Sequence, residues 1–168
     1  MYLKERRLYT VSIQLVDFAL GKEEYGIDVS AVNGILRTKK FVVTNIPGTT
    51  KVIEGMINVR GKINYILNLR SKFGLESKDK GEDTKFIMLN VAESNTGCIV
   101  DEVTDIVKLE DSDVQSAPSY VCGVNANYIK GIAQIDDRMI IILNPNNILT
   151  FEEHAALDGV IDSDLVTV

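Results

Sequence analysis

Asn58 and Arg60, in GMINVRGKINYILNLR (55–70), stand beside Gly61 where one apolar-patterned run ends and another begins. A guanidinium at such a corner can clamp an anion through paired N–H bonds, pin the turn by bonding loop carbonyls, or anchor a protein partner. Catalysis would also require an acid, a base or a nucleophile. Asp101-Glu102, which interrupts GCIVDEV, is the carboxylate pair least like a solvated turn; Glu23-Glu24 and Asp136-Asp137 read as turn residues. His154, the one histidine, lies in EEHAAL outside the patterned region and reads as a surface helix residue. Ser-His-Asp, Cys-His and HExxH arrangements are absent as local patterns, and IPGTTK (46–51) lacks the glycines and the strand-to-helix context of a phosphate loop. Cys98 and Cys122 have no histidine or second thiol at ligand spacing, so they read as reduced structural thiols, and neither metal nor cofactor is expected.

The chain of 168 residues, 45% hydrophobic and 25% charged, has the composition of a soluble globular domain. Its apolar runs, such as MIIIL at 139–143, are far shorter than the ~20 residues a membrane helix needs. MYLKERRLYT has no apolar signal core, so the expected location is the cytoplasm. The net charge of −6 conceals an asymmetry: residues 1–78 carry +6 and residues 79–168 carry −12. A general nucleic-acid binder needs a basic surface without a larger acidic one, and the scattered aromatics and missing Trp do not form a stacking groove for single strands. Oppositely charged protein partners suit the asymmetry better, as do two solvated faces that balance in space.

The elements that must position these residues come in two copies. At an offset of 76, INVRGKINYILN aligns with AQIDDRMIIILN, pairing Gly55 with Gly131, Asn58 with Gln134, Lys62 with Arg138 and Leu67 with Leu143. At an offset of 71, YGIDVSAVNGILR aligns with TGCIVDEVTDIVK, pairing Gly26 with Gly97, Val32 with Val103 and Ile35 with Ile106. Two units of about 70 residues are too few for a solenoid and fit a pseudo-symmetric pair of small domains. Alternating β-branched and aromatic residues around Gly-containing turns predict strands: VSIQLVDFAL with YGIDV, KFIMLNV with GCIVDEV, and runs 56–60 and 63–69 about a Gly61-Lys62 turn. Asp136-Asp137 fills the same corner in the second copy. Short helical pieces are expected within 28–34, near Leu69 to Phe73, and over FEEHAALD at 151–158. MIIIL is apolar at every position, so both of its faces must be covered, which requires the two units to pack on one another. ESKDKGEDT (76–84) is the joining stretch, and the tail GVIDSDLVTV (159–168) reads as loose.

The ordered set YGIDVSAVNGILR, IPGTTKVIEGMINVRGKINYILNLRSKFG, TGCIVDEVTDIVKL and YIKGIAQIDDRMIIIL resembles the CheW adaptors of bacterial chemotaxis, over about residues 8–150. The resemblance implies an all-β fold of two interlocked five-stranded SH3-like barrels, roughly 15–75 and 84–150 with possible exchange of terminal strands, followed by a C-terminal helix and tail at 151–168. It implies a non-enzymatic adaptor that couples transmembrane chemoreceptors to the histidine kinase CheA, whose regulatory domain has the same fold. It places this cytoplasmic chain at membrane-associated receptor arrays, without insertion into the membrane. A receptor's cytoplasmic hairpin tip would dock in an apolar groove between the barrels, at the positions matched here by Val32, Ile35, Asn58, Arg60, Gly97, Val103 and Ile106. Val32 with Ile35, and Val103 with Ile106, are spaced by three, as on one face of a short helix or turn. The chain departs from the family pattern at Gly34, Asn64, Asn68 and Asn144, departures that bear on the kinase contact and suit a specialised paralogue. The competing reading is a small-molecule-binding or catalytic β-barrel that uses Arg60, Asp101 and Glu102.

Overall fold

The computed structural model describes residues 12–91, 94–116 and 127–149. Strand β1 (Ile13–Leu20) turns at Gly21-Lys22 into β2 (Glu23–Asp28), with Gly21 at a φ of 63°. A single 3-10 turn (Val29–Ala31), its start capped by the Asp28 carboxylate on the Ser30 N–H, leads into β3 (Val32–Arg37). There follow β4 (Ile53–Val59), β5 (Lys62–Asn68), the one-turn helix α1 (Leu69–Lys72), β6 (Lys85–Val91), β7 (Ser94–Val100), β8 (Glu102–Leu109), the short β9 (Val114–Gln115), β10 (Ile129–Ile135) and β11 (Arg138–Leu143). The expected helix at 151–158, His154, Cys122 and the tail lie outside the described residues.

Two sheets result, in the orders β8-β1-β2-β11-β10-β9 and β3-β6-β7-β5-β4. Substituting each strand by its repeat partner turns the first five of the one into the five of the other. Sheet membership crosses the repeat: the β1-β2 hairpin, from the first copy, sits among β8, β10 and β11 of the second, and the β6-β7 hairpin sits among β3, β4 and β5. Each exchanged hairpin joins its host sheet through a parallel pairing, β2 with β11 and β5 with β7.

The repeated glycines are explained by close approach. Gly131 lies where an added Cβ would sit 2.7 Å from the Gln115 carbonyl oxygen on β9, and Gly55 presses in the same way on the Thr44 carbonyl. Thr44 makes an isolated bridge to Met56 where β9 pairs with β10 in the other sheet. A side chain at either position would push this short covering strand away.

Alternation along the strands sorts side chains into three cores. Leu15, Leu109, Ala133, Ile140 and Ile142 fill the six-stranded sheet, with Val107 of β8 and Val114 of β9 packed on them from its two edges, so the sheet curls around its own core. Ile57, Ile66, Phe86 and Met88 do the same for the five-stranded sheet, with Leu36 of β3 and Val59 of β4 from its edges. Sixteen buried residues, including Phe18, Leu20, Tyr25, Leu67, Ile87 and Leu143, form the third core between the sheets. At about 1.5–3 kcal/mol per buried large apolar side chain, most of the hydrophobic stabilisation lies at this junction, so the two sheets are one cooperative body. Four rings, Phe18, Tyr25, Phe73 and Tyr128, stack in series through it at centroid spacings of 5.9, 5.1 and 5.2 Å. In MIIIL the expected two-sided burial holds for Ile140, Ile142 and Leu143, whereas Ile141 is half-buried and Met139 is 60% exposed.

Candidate partner-binding surface

The expected Gly61-Lys62 corner is shifted by one residue: β4 ends at Val59 and β5 starts at Lys62, so the turn is Arg60-Gly61, with φ of 52° and 83°. Two positive φ values match the right-handed twist of the strands they join, and Ile63 with its neighbours extends the β5 ladder back to Lys62. Asp136 holds the equivalent corner with the same φ of 52°. Asn58 is part of this device, its Oδ1 accepting the Gly61 N–H at 2.9 Å. Arg60 is exposed and forms no hydrogen bond or ion pair among the described residues, so it does not pin the turn. Its cation is exposed.

Val32, Ile35, Val103 and Ile106 lie on strands rather than on a helix. The spacing of three nevertheless puts each pair on one face, because both strands carry a β-bulge. Val32 pairs with Leu89 and Gly34 with Met88, leaving Asn33 as the extra residue; Phe18 pairs with Val103 and Asp17 with Asp105, leaving Thr104. A bulge inserts one residue and restores the phase, so that i and i+3 face alike. Val32 and Val103 pack on the inter-sheet core, while Ile35 is 41% and Ile106 56% exposed. The two isoleucines continue the junction's apolar face into solvent from β3 and β8, at equivalent positions of the repeat.

Gly97 is buried, and the space of a side chain there is taken by Met88, whose Sδ would lie 2.6 Å from an added Cβ. Its contribution is to packing between β6 and β7. Asn58 projects from β4 beside Ile63, its cross-strand partner, at a hollow of about 330 Å³ also lined by Phe41, Val42 and Met56. β3 and β4 end the order of their sheet, but the shared core under Leu36 and Val59 draws these two edges round toward one another.

The polar set of the competing reading does not assemble. Asp101 is held by Arg70, whose Nε and Nη2 donate to its two oxygens, the first at 2.9 Å, while Gly21 N–H donates at 2.8 Å. Hydrogen bonding from Arg70, outweighing partial burial, keeps this carboxyl below the usual carboxylate range. Arg70 also donates to the Glu76 carbonyl, so it ties the end of β5 to the β1-β2 turn and to the β7-β8 link. The hollow beside Asp101 is about 30 Å³ and includes neither Arg60 nor Glu102; it has room for about one water. Sequence reasoning did not single out Arg70. Asn68 and Asn144, noted as departures, cap the turns that follow β5 and β11, accepting the N–H of Ser71 and Asn146, so they preserve the local fold. No group of histidine, cysteine and carboxylate side chains able to hold a metal occurs among the described residues, and no helix there is long and apolar enough to cross a membrane.

Two curled sheets with exchanged hairpins make up the scaffold, and Ile35 and Ile106 carry apolar side chains to its surface from equivalent edge strands. Residues 14–153 match the CheW-like domain, and the chain belongs to that family. It is 34% identical to the chemotaxis protein CheW of Klebsiella aerogenes over 92% of both chains, and 33% identical to that of Treponema pallidum over 83% of this chain and 84% of the relative. The crystal structure of the scaffolding protein TtCheW from Thermoanaerobacter tengcongensis superposes with a TM-score of 0.78 at 30% identity, covering 85% of this chain and 96% of that one. The chain is thus a non-catalytic chemotaxis scaffold of the CheW family, coupling receptors to CheA.

Proposed function

We propose that the receptor's cytoplasmic hairpin tip docks along the seam between the two sheets, with Ile35 and Ile106 as apolar anchors and Asn58 and Arg60 as the polar edge. Val32 and Val103, on the same face of each strand, pack on the inter-sheet core beside these anchors, and Gly97 acts through packing. The observation that carries the reading is the pair of exposed isoleucines at equivalent bulged strands, on the face that elsewhere forms the inter-sheet core. An amphipathic helix laid in such a seam gains from burying both, and an exposed guanidinium at the rim can bond its polar groups. The chain would act in the cytoplasm, at membrane-associated receptor arrays.

The regulatory domain of CheA, having the same fold, would meet the ends of the two sheets. Ile63 and Met139 are equivalent in the repeat, 53% and 60% exposed, and flanked by opposite charge: Arg60 at one corner, Asp136 at the other. Calorimetric titration with a receptor-tip fragment and, separately, with the kinase regulatory region tests both surfaces. Ile35→Glu should weaken the receptor step at least fivefold and leave the kinase step unchanged, Arg60→Ala should weaken the receptor step, and Ile63→Glu should weaken the kinase step at least fivefold. Wild-type affinity for the receptor tip in a folded Ile35→Glu variant would overturn the groove assignment.

A further inference from the structure

The seam where β2 joins β11 carries a charge cluster that neither docking surface uses. Asp17, on β1, is 0% exposed. Its Oδ2 accepts from Arg138 Nη2 at 2.6 Å, and the same guanidinium donates to both oxygens of Glu24, at 2.7 and 3.2 Å. Oδ1 of Asp17 has no hydrogen-bond partner among the described residues. From β8, Asp105 stands opposite Asp17 in register, its own Oδ1 engaged by the Ile106 N–H, and Thr104 donates its hydroxyl to the Asp17 carbonyl. The charged groups facing Asp17 are therefore Glu24 from β2, Arg138 from β11 and Asp105 from β8. Two of these carboxylates share one guanidinium, which is itself 45% exposed, and the third stands beside them.

We propose that this cluster is a proton-linked clamp on the β2–β11 seam: mild acidification places one proton on Asp17, whose carboxyl then donates to Glu24 while Arg138 holds both. The ionised form leaves a buried oxygen unbonded next to a second carboxylate, whereas the neutral form replaces that repulsion with a hydrogen bond. Burial first, and then Glu24 through hydrogen bonding and charge, pushes the Asp17 carboxyl up from 3.8 to about 6 against the pull of Thr104 and Arg138. Glu24 is shifted the other way, chiefly by its bonds from Arg138, and so remains the acceptor. An acid whose folded value is raised stabilises the folded state progressively as pH falls through that value to the unfolded one, and the advantage is lost as pH rises back through the folded value. The clamp is therefore tighter at pH 5 than at pH 7.5. Thr104, the bulge residue between Val103 and Ile106, is bonded to Asp17, so the same cluster underlies the strand that carries Ile106.

Side-chain carboxyl NMR of the whole chain from pH 4 to 8, with amide exchange across Ile140, Ile141 and Ile142, tests the clamp in wild type, Asp17→Asn and Glu24→Gln. Asp17 should titrate with a midpoint near 6, and Glu24→Gln should lower that midpoint. The opening constant of wild type relative to Asp17→Asn should fall about tenfold between pH 7.5 and 5. An Asp17 midpoint near 4 in the folded wild type, a readout that requires no variant to fold, would overturn the proposal. Parallel pH dependence of wild type and Asp17→Asn would do the same.

Discussion

Arg70→Ala should remove the bond that ties three chain segments together. In the folded chain Arg70 forks onto Asp101, the pair being 15% and 13% exposed, and also holds the Glu76 carbonyl. After truncation Asp101 keeps the Gly21 N–H and a distant Lys78, 4.0 Å away. Breaking a fully buried pair costs about 3–5 kcal/mol, and a fully exposed one about 0.2–1 kcal/mol. With both side chains mostly buried and Lys78 free to move closer, the expected loss is about 2–3 kcal/mol. At about 2–4 °C per kcal/mol for a chain of this size, the melting temperature should fall by about 4–12 °C. The pH dependence supplies a second check. Asp101 is lowered, so its stabilising contribution is present above its unfolded value and is lost as pH falls through the lowered folded one. Melts of wild type and variant recorded from pH 7 down to pH 3 should therefore converge in acid. A neutral-pH difference under 1 °C, or one that persists unchanged at pH 3, would refute this account of the clamp.

Arg60→Asn should raise stability by about 0.5–1 kcal/mol, because Asn tolerates the positive φ that Arg60 holds under strain. The same variant should bind the receptor tip more weakly, so melting and calorimetry should move in opposite directions. Gly55→Ala should destabilise by about 1–3 kcal/mol, since its methyl would run into the Thr44 carbonyl, whereas Gly34→Ala, at an open position, should cost less than 1 kcal/mol in the same melts. Cys98 is buried and its thiol is pushed up to about 12 by that burial, so thiol reagents should modify it at neutral pH only through unfolding, at a rate that follows added denaturant.

The repeat made much of the architecture legible. Gly55 with Gly131, Val32 with Val103 and Ile35 with Ile106 marked equivalent places because the same steric demand recurs in each copy, although the short strand that the glycines admit was not itself read. The β1-β2 and β6-β7 hairpins followed from alternation and turn residues. The bulges at Asn33 and Thr104 were not legible: a spacing of three reads as helical unless one knows which residue the partner strand leaves unpaired. The corner fell one residue early because the ladder from Ile63 back to Lys62 depends on pairing across strands. Arg70 with Asp101, and Asp17 with Arg138, are 31 and 121 residues apart in the chain, and only the exchange of hairpins brings them together.

Hairpin exchange also bears on how such a chain could have arisen. One unit of about 70 residues, lending its first hairpin to a second copy and borrowing one in return, would build both sheets as a twofold homodimer, but the symmetry would force its two ends to be identical. Fusing the copies through 76–84 turns that association into an intramolecular event and lifts the constraint. Each end can then mutate alone, so that Arg60 at one corner faces Asp136 at the other on the same backbone, and a duplicated gene acquires two different handles from a single mould.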